Sequence, residues 1–160
     1  MGRGGRPTGA ESMGTSRTDD LPRMGIDERR IGVTSRKKIL LVDDSSTALL
    51  LSRMVLQGMS YDVVTARDGL EGLEKAKQVH PDLILLAVMM PRMDGIEACK
   101  RLRDDPATAS IPIIMVTTRG EEAIAEASYA YGCNEFVTKP VDAAELLAKV
   151  RNCLGDWEGT

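Results

Sequence analysis

The chain has 160 residues, of which 42% are hydrophobic and 28% charged, a composition typical of one soluble globular domain with an appendage. Its formal net charge of -3 is too small to indicate nucleic acid or an anionic membrane surface as a partner. Every apolar run is shorter than the roughly 20 residues of a membrane span, and the N-terminus lacks the apolar core of a secretory signal. We therefore expect a cytoplasmic protein without a membrane span.

The cysteines do not indicate a disulfide framework or a metal site. Cys99, Cys133 and Cys153 are widely spaced and odd in number, and His80 is the only histidine. The pattern favours reduced thiols that pack as small hydrophobic side chains.

Residues 1–36 differ in composition from the rest of the chain. They are rich in Gly, Arg, Ser, Thr and Asp and contain few large apolar side chains. Such a segment buries too little apolar surface to offset the entropy lost on ordering, so we predict a disordered extension. Docking to a protein partner and a plain solvated leader are both open interpretations. We predict that residues 37–155 form the folded domain and 156–160 a short tail.

The folded part begins with an apolar run at 39–42, which predicts a strand buried on both faces. A helix is predicted over 45–58, where Gly58 is a stop signal. The next apolar run predicts a second strand over 61–66.

A capping-box pattern opens the second helix. Asp68 is followed three residues later by Glu71. In a capping box, the side chain of each residue accepts a hydrogen bond from the backbone N–H of the other. The apolar spacing after it predicts that Leu70, Leu73 and Ala76 face inward.

The middle of the chain repeats the same alternation. A third strand is predicted over 83–88, a helix over 96–103 and a fourth strand over 111–116. Pro112 is placed at the start of that strand, where a backbone donor is least needed.

The C-terminal part of the sequence predicts one more strand between two helices. An alanine-rich helix over 121–131 is closed by Gly132, and a short strand follows over 135–137. Asp142 and Glu145 form another capping-box pattern at the start of the final helix.

Strand and helix alternate five times with short links, which predicts an α/β fold with a doubly wound, five-stranded parallel sheet of the flavodoxin-like type. In such sheets the functional residues follow the carboxyl ends of the strands. That rule selects Asp43, Asp44, Ala87, Thr117, Thr118, Thr138 and Lys139.

Residues 38–154 resemble the receiver domain of two-component response regulators, and most of all the stand-alone chemotaxis-type receivers. The resemblance rests on four segments taken together in order and spacing: 42–45, 89–95, 116–118 and 136–140. It implies the flavodoxin-like receiver fold and a signalling role by protein–protein contact, without enzymatic output.

The resemblance implies a magnesium site. Asp44 would bind Mg²⁺ directly, Asp43 would bind it through water, and the backbone carbonyl of Met89 would be a further ligand. Oxygen ligands of this kind suit a hard cation that keeps several waters. Adjacent acids at a strand end are also common in simple turns, so the interpretation depends on the neighbouring motifs.

The resemblance also assigns the phosphoryl-binding and switch residues. Thr117 would hydrogen-bond the phosphoryl group, and Lys139 would pair with its oxygens, with a cis peptide bond before Pro140. Phe136 would be the switch aromatic. The simpler interpretations are a strand-end threonine, a surface lysine and a phenylalanine that packs in the core.

Ala87 stands where the family carries the aspartate that accepts the phosphoryl group. Alanine offers neither a nucleophile nor a metal ligand, so we expect no acyl phosphate at this position and a weak or absent Mg²⁺ site. Two explanations are open. The substitution is an engineered block of phosphorylation, which the otherwise complete pocket favours, or the chain is a natural pseudo-receiver that signals by binding alone.

The expected partners are a sensor histidine kinase or a phosphotransfer protein, and a downstream protein that binds the surface formed by the fourth helix, the fifth strand and the fifth helix. We expect no attached DNA-binding domain and a monomer. Two other classes were weighed: a magnesium-dependent phosphohydrolase, which would need a nucleophilic acid and a cap insertion, and a scaffold that acts through residues 1–36.

Overall fold

The computed structural model describes residues 36–118 and 120–155. The predicted disordered extension, 1–36, lies outside these residues except for Arg36, and the predicted tail, 156–160, lies outside them as well. Among the helices described, none combines the length and the apolar character needed to cross a bilayer.

The centre of the fold is a parallel sheet of five strands in the order β2-β1-β3-β4-β5. The strands are β1 (Lys38–Val42), β2 (Asp62–Ala66), β3 (Leu83–Ala87), β4 (Ile113–Thr117) and β5 (Glu135–Thr138). Because the strand order reverses at β1, a crevice opens at the carboxyl ends of β1 and β3. The predicted doubly wound, flavodoxin-like fold is confirmed.

Four α-helices connect the described strands, and a fifth follows the last strand. They are α1 (Ser46–Gly58), α2 (Gly69–Val79), α3 (Gly95–Asp104), α4 (Glu122–Ser128) and α5 (Ala143–Leu154). The carboxylates of Asp68 and Asp142 each accept a hydrogen bond from the backbone N–H three residues on, at 2.9 and 2.8 Å. These bonds satisfy backbone N–H groups that have no partner within the helix, and they confirm both predicted N-caps. In the first capping box, the side chain of Glu71 accepts from the backbone N–H of Arg67 at 2.8 Å rather than from that of Asp68.

Alternate side chains of each strand point to opposite faces of the sheet, so the core has two halves. One half lies under α2 and α3 and contains Leu40, Ile84 and Met115 from the strands. The other lies under α1 and α5 and contains Leu41 and Leu85. All these side chains are at most 3% exposed. Because both faces of the strands are buried, their sequences are continuous apolar runs.

The inward face of α2 was predicted incorrectly at one position. Leu70 is 39% exposed, whereas Gly69, Gly72 and Ala76 are buried. The two glycines bring the helix close to its neighbours, since a Cβ at Gly72 would meet the side chain of Val42 at 3.0 Å. This close approach turns Leu70 towards solvent.

Two element boundaries also differ from the prediction. The helix predicted over 121–131 ends at Ser128, and a 3₁₀ turn (Tyr129–Tyr131) leads to Gly132, whose φ is 107°. β4 begins at Ile113, so Pro112 lies just before the strand rather than within it. The carbonyl of Pro112 accepts a hydrogen bond from the backbone of Ile84 at 3.0 Å.

The cysteine thiols are free, as predicted. Cys99 and Cys133 are buried in the core, and Cys153 is partly buried. Burial raises the pKa of the Cys99 thiol to about 11, which keeps it in the protonated form near neutral pH.

Candidate functional site

The strand register brings the sequence-predicted residues to one edge of the sheet. Val42 pairs with Leu86, Ala87 with Val116, and Thr117 with Thr138. The residues at or just beyond these positions therefore meet around the crevice where β1 and β3 end. They are Asp43, Asp44, Ala87, Thr117 and Lys139.

A partly buried ion pair spans this edge of the sheet. The ammonium of Lys139 lies 2.7 Å from Oδ2 of Asp43, whose side chain is 9% exposed. The other oxygen of Asp43 accepts a hydrogen bond from the backbone N–H of Ser45 at 3.0 Å. The peptide bond between Lys139 and Pro140 is cis, as the resemblance implied.

Asp44 occupies a more open position than Asp43. Its side chain is exposed, and its backbone carbonyl accepts a hydrogen bond from the guanidinium of Arg67 at 3.2 Å. Met89, whose carbonyl was predicted as a metal ligand, is 63% exposed in the loop after β3. Asp44 and Met89 thus lie at the solvent side of the crevice.

The donor set fits a magnesium ion only in part. Two carboxylates supply the hard oxygen ligands that Mg²⁺ prefers, and an open site leaves room for its waters. However, Lys139 already engages one oxygen of Asp43. Within residues 36–118 and 120–155, no group of three or more Asp, Glu, His or Cys side chains is arranged to hold a metal.

Thr117 is fully buried at the end of β4. Its hydroxyl lies 3.4 Å from the carbonyl of Val137 and 3.4 Å from the hydroxyl of Thr138. The backbone N–H of Lys139 donates to the Thr117 carbonyl at 2.7 Å. The hydroxyl is therefore directed at β5, and the backbone of Thr117 fixes the start of the segment that carries Lys139.

Ala87 is 2% exposed and ends β3. Its carbonyl is packed so closely against Gly95, the first residue of α3, that any Cβ on Gly95 would clash with it. The N–H of Gly95 donates to the carbonyl of Val88 at 2.8 Å. The chain thus returns tightly to the strand end after the loop between β3 and α3.

A second ion pair fastens that loop to the start of α2, and sequence reasoning missed it. Arg92 adopts a left-handed backbone with φ 67°, and two of its nitrogens donate to one oxygen of Asp68 at 2.9 and 2.7 Å. Hydrogen bonding from the backbone of Glu71, followed by the contact with Arg92, lowers the pKa of the Asp68 carboxyl. No spacing rule links Asp68 to a residue 24 positions away.

Phe136 is half-buried between two side chains of the α4–α5 side of the molecule. Its ring meets the Tyr129 ring edge-on, with centroids 6.1 Å apart. The ammonium of Lys149 on α5 lies 5.4 Å from the Phe136 ring centroid and donates to its carbonyl at 2.6 Å. Lys149 also lies 3.5 Å from a carboxylate oxygen of Glu135, so α5 holds β5 at its edge.

The sequence matches a family model described as the response regulator receiver domain over residues 39–151. Among curated proteins, it is 42% identical over 118 residues to the alkaline phosphatase synthesis transcriptional regulatory protein PhoP of Bacillus subtilis, covering 74% of this chain and 48% of PhoP. It is 32% identical over 120 residues to the polar-differentiation response regulator DivK of Brucella ovis, covering 75% of this chain and 98% of DivK. The chain thus spans about half the length of some curated relatives and nearly all of others.

Solved structures of receiver proteins are also similar to this chain. The chemotaxis protein CheY4 of Vibrio cholerae superposes with a TM-score of 0.70 at 33% identity, covering 75% of this chain and 100% of CheY4. The receiver domain of the sensor histidine kinase PA1611 of Pseudomonas aeruginosa, described with a magnesium ion coordinated in its active site cleft, superposes with a TM-score of 0.70 at 26% identity. That match covers 76% of this chain and 100% of the PA1611 domain.

Proposed function

This chain belongs to the response regulator receiver family, and we propose that it is a single-domain relay protein with Ala87 at the phosphoryl-acceptor position. The observation that carries the proposal is the place of Ala87 at the end of β3, between the strand ends that carry Asp43 and Thr117. A methyl side chain has no nucleophile, so no acyl phosphate forms there. DivK, of which this chain covers 98%, is a polar-differentiation response regulator, and this likeness supports a signalling role.

Without an acyl phosphate, the chain stays mainly in the resting conformation of a receiver. In a receiver with an aspartate at position 87, the phosphoryl group would draw Thr117 and Lys139 towards it. Here Lys139 pairs with Asp43, and the Thr117 hydroxyl is directed at β5. A two-state equilibrium shifts only by the difference in affinity of a ligand for its states, and the covalent ligand cannot form. The resting conformation therefore dominates.

We assign the residual magnesium site to Asp43, Asp44 and the backbone carbonyl of Met89. The PA1611 receiver domain, which holds magnesium in its cleft, supports the assignment. A bound Mg²⁺ would neutralise carboxylate charge at the sheet edge. Because Ala87 supplies no third carboxylate and Lys139 competes for Asp43, the affinity is low.

The partners that fit this protein are a histidine kinase or a phosphotransfer protein, and a downstream protein that binds the surface of α4, β5 and α5. Phe136 lies in that surface between Tyr129 and Lys149, where a change at the site can reach it through β5. The names of CheY4 and DivK favour a role in chemotaxis, motility or cell polarity. We propose a monomer.

Two origins of Ala87 remain as alternatives. The retained Asp43, Thr117 and Lys139 favour an engineered block of a working receiver. The alternative is a natural pseudo-receiver that signals by binding alone.

The test is the intact mass of this chain and of Ala87→Asp after incubation with acetyl phosphate and Mg²⁺. We expect Ala87→Asp to gain one phosphoryl group and this chain to gain none. Ala87→Asn, which matches the size of aspartate without its charge, is the control and also stays unmodified. If neither this chain nor Ala87→Asp is modified, the pocket is degenerate and the pseudo-receiver interpretation replaces the relay. Modification of this chain itself would place the acceptor elsewhere.

A further inference from the structure

A cleft between α1 and α5 lies on the face of the sheet opposite α2 and α3. Its volume is about 290 Å³, and Leu41, Leu85 and Val116 of the strands form its floor. These three side chains are at most 7% exposed, so the floor belongs to the packed core. The cleft is therefore a concave apolar surface on a rigid base, which is the common form of a small-molecule site.

Small side chains on the two helices leave this space open. Ala48 lies on the α1 side, and Ala143 lies on the α5 side, where the helix begins. A larger residue at either position would fill the cleft, since an added side chain would extend from a helix wall into the space between the helices. Residue size at these two positions thus contributes to the opening.

One end of the cleft is polar but carries no net charge. Asp43 and Lys139 line it, and their side chains neutralise each other at 2.7 Å. The hydroxyl of Ser45 also lines it; it caps α1 by accepting from the backbone of Ala48 at 3.2 Å and retains its own hydrogen as a donor. A charged ligand would lose its hydration in this apolar cleft and be repelled by one member of the pair, whereas a neutral hydroxyl can bond to the pair intact.

We propose that this cleft binds a small, uncharged, largely apolar molecule with one hydroxyl group at the end that meets Asp43 and Lys139. An apolar cavity of about 150 Å³ holds benzene, and drug-sized ligands occupy about 300 Å³ or more, so the occupant is a ring of benzene size with a short apolar substituent. Its body lies on Leu41, Leu85 and Val116, and its hydroxyl faces the ion pair.

A ligand in this cleft would contact the candidate functional site, because the two share residues. The segment Lys139, Pro140 and Val141 lines the cleft, and Lys139 is the cation of the ion pair. An occupant that bonds to the pair stabilises it and so favours the conformation in which Lys139 remains on Asp43. The site does not require a phosphoryl acceptor, so it is independent of the function proposed for Ala87.

The test is an NMR titration of the full chain with 4-ethylphenol, followed through backbone amide shifts. We expect saturable binding with a Kd near or below about 1 mM, which is within reach of a ligand of roughly nine non-hydrogen atoms. The shifts should concentrate on α1, on the start of α5 and on Lys139. The anion 4-ethylbenzoate and the cation 4-ethylbenzylammonium should each bind at least about tenfold more weakly, because each loses its hydration in the apolar cleft and is repelled by one member of the ion pair.

Two neighbouring alanines give a matched pair of variants. Ala143 and Ala144 are both exposed, but only Ala143 lines the cleft. Ala143→Leu should therefore weaken 4-ethylphenol binding at least about tenfold, whereas Ala144→Leu adds the same side chain outside the cleft and should leave binding unchanged. Thermal melts of both variants establish that they fold. Equal binding by Ala143→Leu and Ala144→Leu, or shifts that do not saturate, would overturn the site. Equal binding of the charged analogues would overturn the neutral ligand class.

Discussion

Lys139 and Asp43 form an ion pair of 2.7 Å that joins the segment after β5 to the end of β1 across the whole candidate site. The carboxylate is nearly buried, while a quarter of the lysine side chain is exposed. Since β3 and β4 lie between the two strands, this contact ties the carboxyl edge of the sheet together. It also engages the lysine that we propose for phosphoryl binding and one of the two carboxylates that we propose for magnesium.

Breaking this pair should destabilise the domain because it leaves one charged group without its partner. We expect Lys139→Met and Asp43→Asn each to lower the free energy of unfolding by about 1–3 kcal/mol. The double variant should lose less than the sum, with a coupling energy of roughly 0.5–3 kcal/mol. Urea unfolding of the four proteins measures this cycle. Strict additivity would mean that the contact contributes nothing to stability.

Placing an acid at position 87 should destabilise the metal-free domain and increase its response to magnesium. Ala87→Asp adds a carboxylate beside Asp43, and two such charges at close range repel by roughly 1–4 kcal/mol, depending on the local dielectric. Mg²⁺ should then raise the melting temperature of Ala87→Asp more than that of this chain. Thermal melts with and without Mg²⁺ test both parts.

Ala87→Asn controls for the size of the new side chain. It should show a small magnesium response like that of this chain, because an amide carries no charge. Equal shifts with Mg²⁺ in this chain and in Ala87→Asp would contradict the assignment of position 87 to the metal site.

The sequence predicted the sheet correctly, and it predicted which candidate site residues follow the strand ends, because both follow from local rules. Five buried apolar runs identified the strands, and the carboxyl-end rule then selected Asp43, Thr117 and Lys139 without knowledge of the contacts. The ion pairs and the packing of individual side chains are tertiary properties. Arg92 pairs with Asp68 through a loop conformation that no periodicity encodes, and Leu70 is exposed because neighbouring glycines set the position of its helix.

Gly95 should not tolerate a side chain, in contrast to Gly58. A Cβ at Gly95 would clash with the carbonyl of Ala87, so Gly95→Ala has to displace α3 from the end of β3 and should cost about 1–3 kcal/mol. Gly58 at the end of α1 has no atom within 4 Å of the same position. Gly58→Ala should be neutral or stabilise by up to about 1 kcal/mol, because alanine loses less backbone entropy on folding. Chemical denaturation of both variants measures the contrast.

Arg103 should contribute more to stability than Arg101 on the same helix. Its guanidinium donates to the carbonyls of Ala109, Ile111 and Gly132 at 2.7–3.0 Å, and so fixes two loops. The single ammonium of lysine cannot make these separate hydrogen bonds. We expect Arg103→Lys to lower the free energy of unfolding by about 1–3 kcal/mol.

Arg101→Lys is the matched control for that substitution. Arg101 is exposed and pairs only with Glu97 one turn away among its described contacts, so its replacement should cost less than about 0.5 kcal/mol. Urea unfolding of the two variants decides the comparison. Equal losses would show that the carbonyl contacts of Arg103 are not stabilising.

Asp68 should make the stability of the domain depend on acid pH. Its pKa is lowered in the fold, by the hydrogen bond from the backbone of Glu71 and by Arg92, so its stabilising contribution is fully present above the unfolded pKa of about 3.9. That contribution is lost as the pH falls through the lower pKa of the folded state. Asp68→Asn keeps a cap but loses the charge, and Asp68→Ala loses both and should cost about 1 kcal/mol or more at pH 7.

The difference in free energy of unfolding between this chain and Asp68→Asn should therefore shrink as the pH falls below about 4, because the Asp68 carboxyl then takes up its proton. Urea unfolding at a series of pH values measures this difference directly and cancels the titration of other carboxyls. In an Arg92→Met background the difference should be smaller at neutral pH, since one of the two causes of the lowered pKa has been removed. A difference that stays constant with pH would show that the cap geometry alone, and not the charge of Asp68, stabilises this junction.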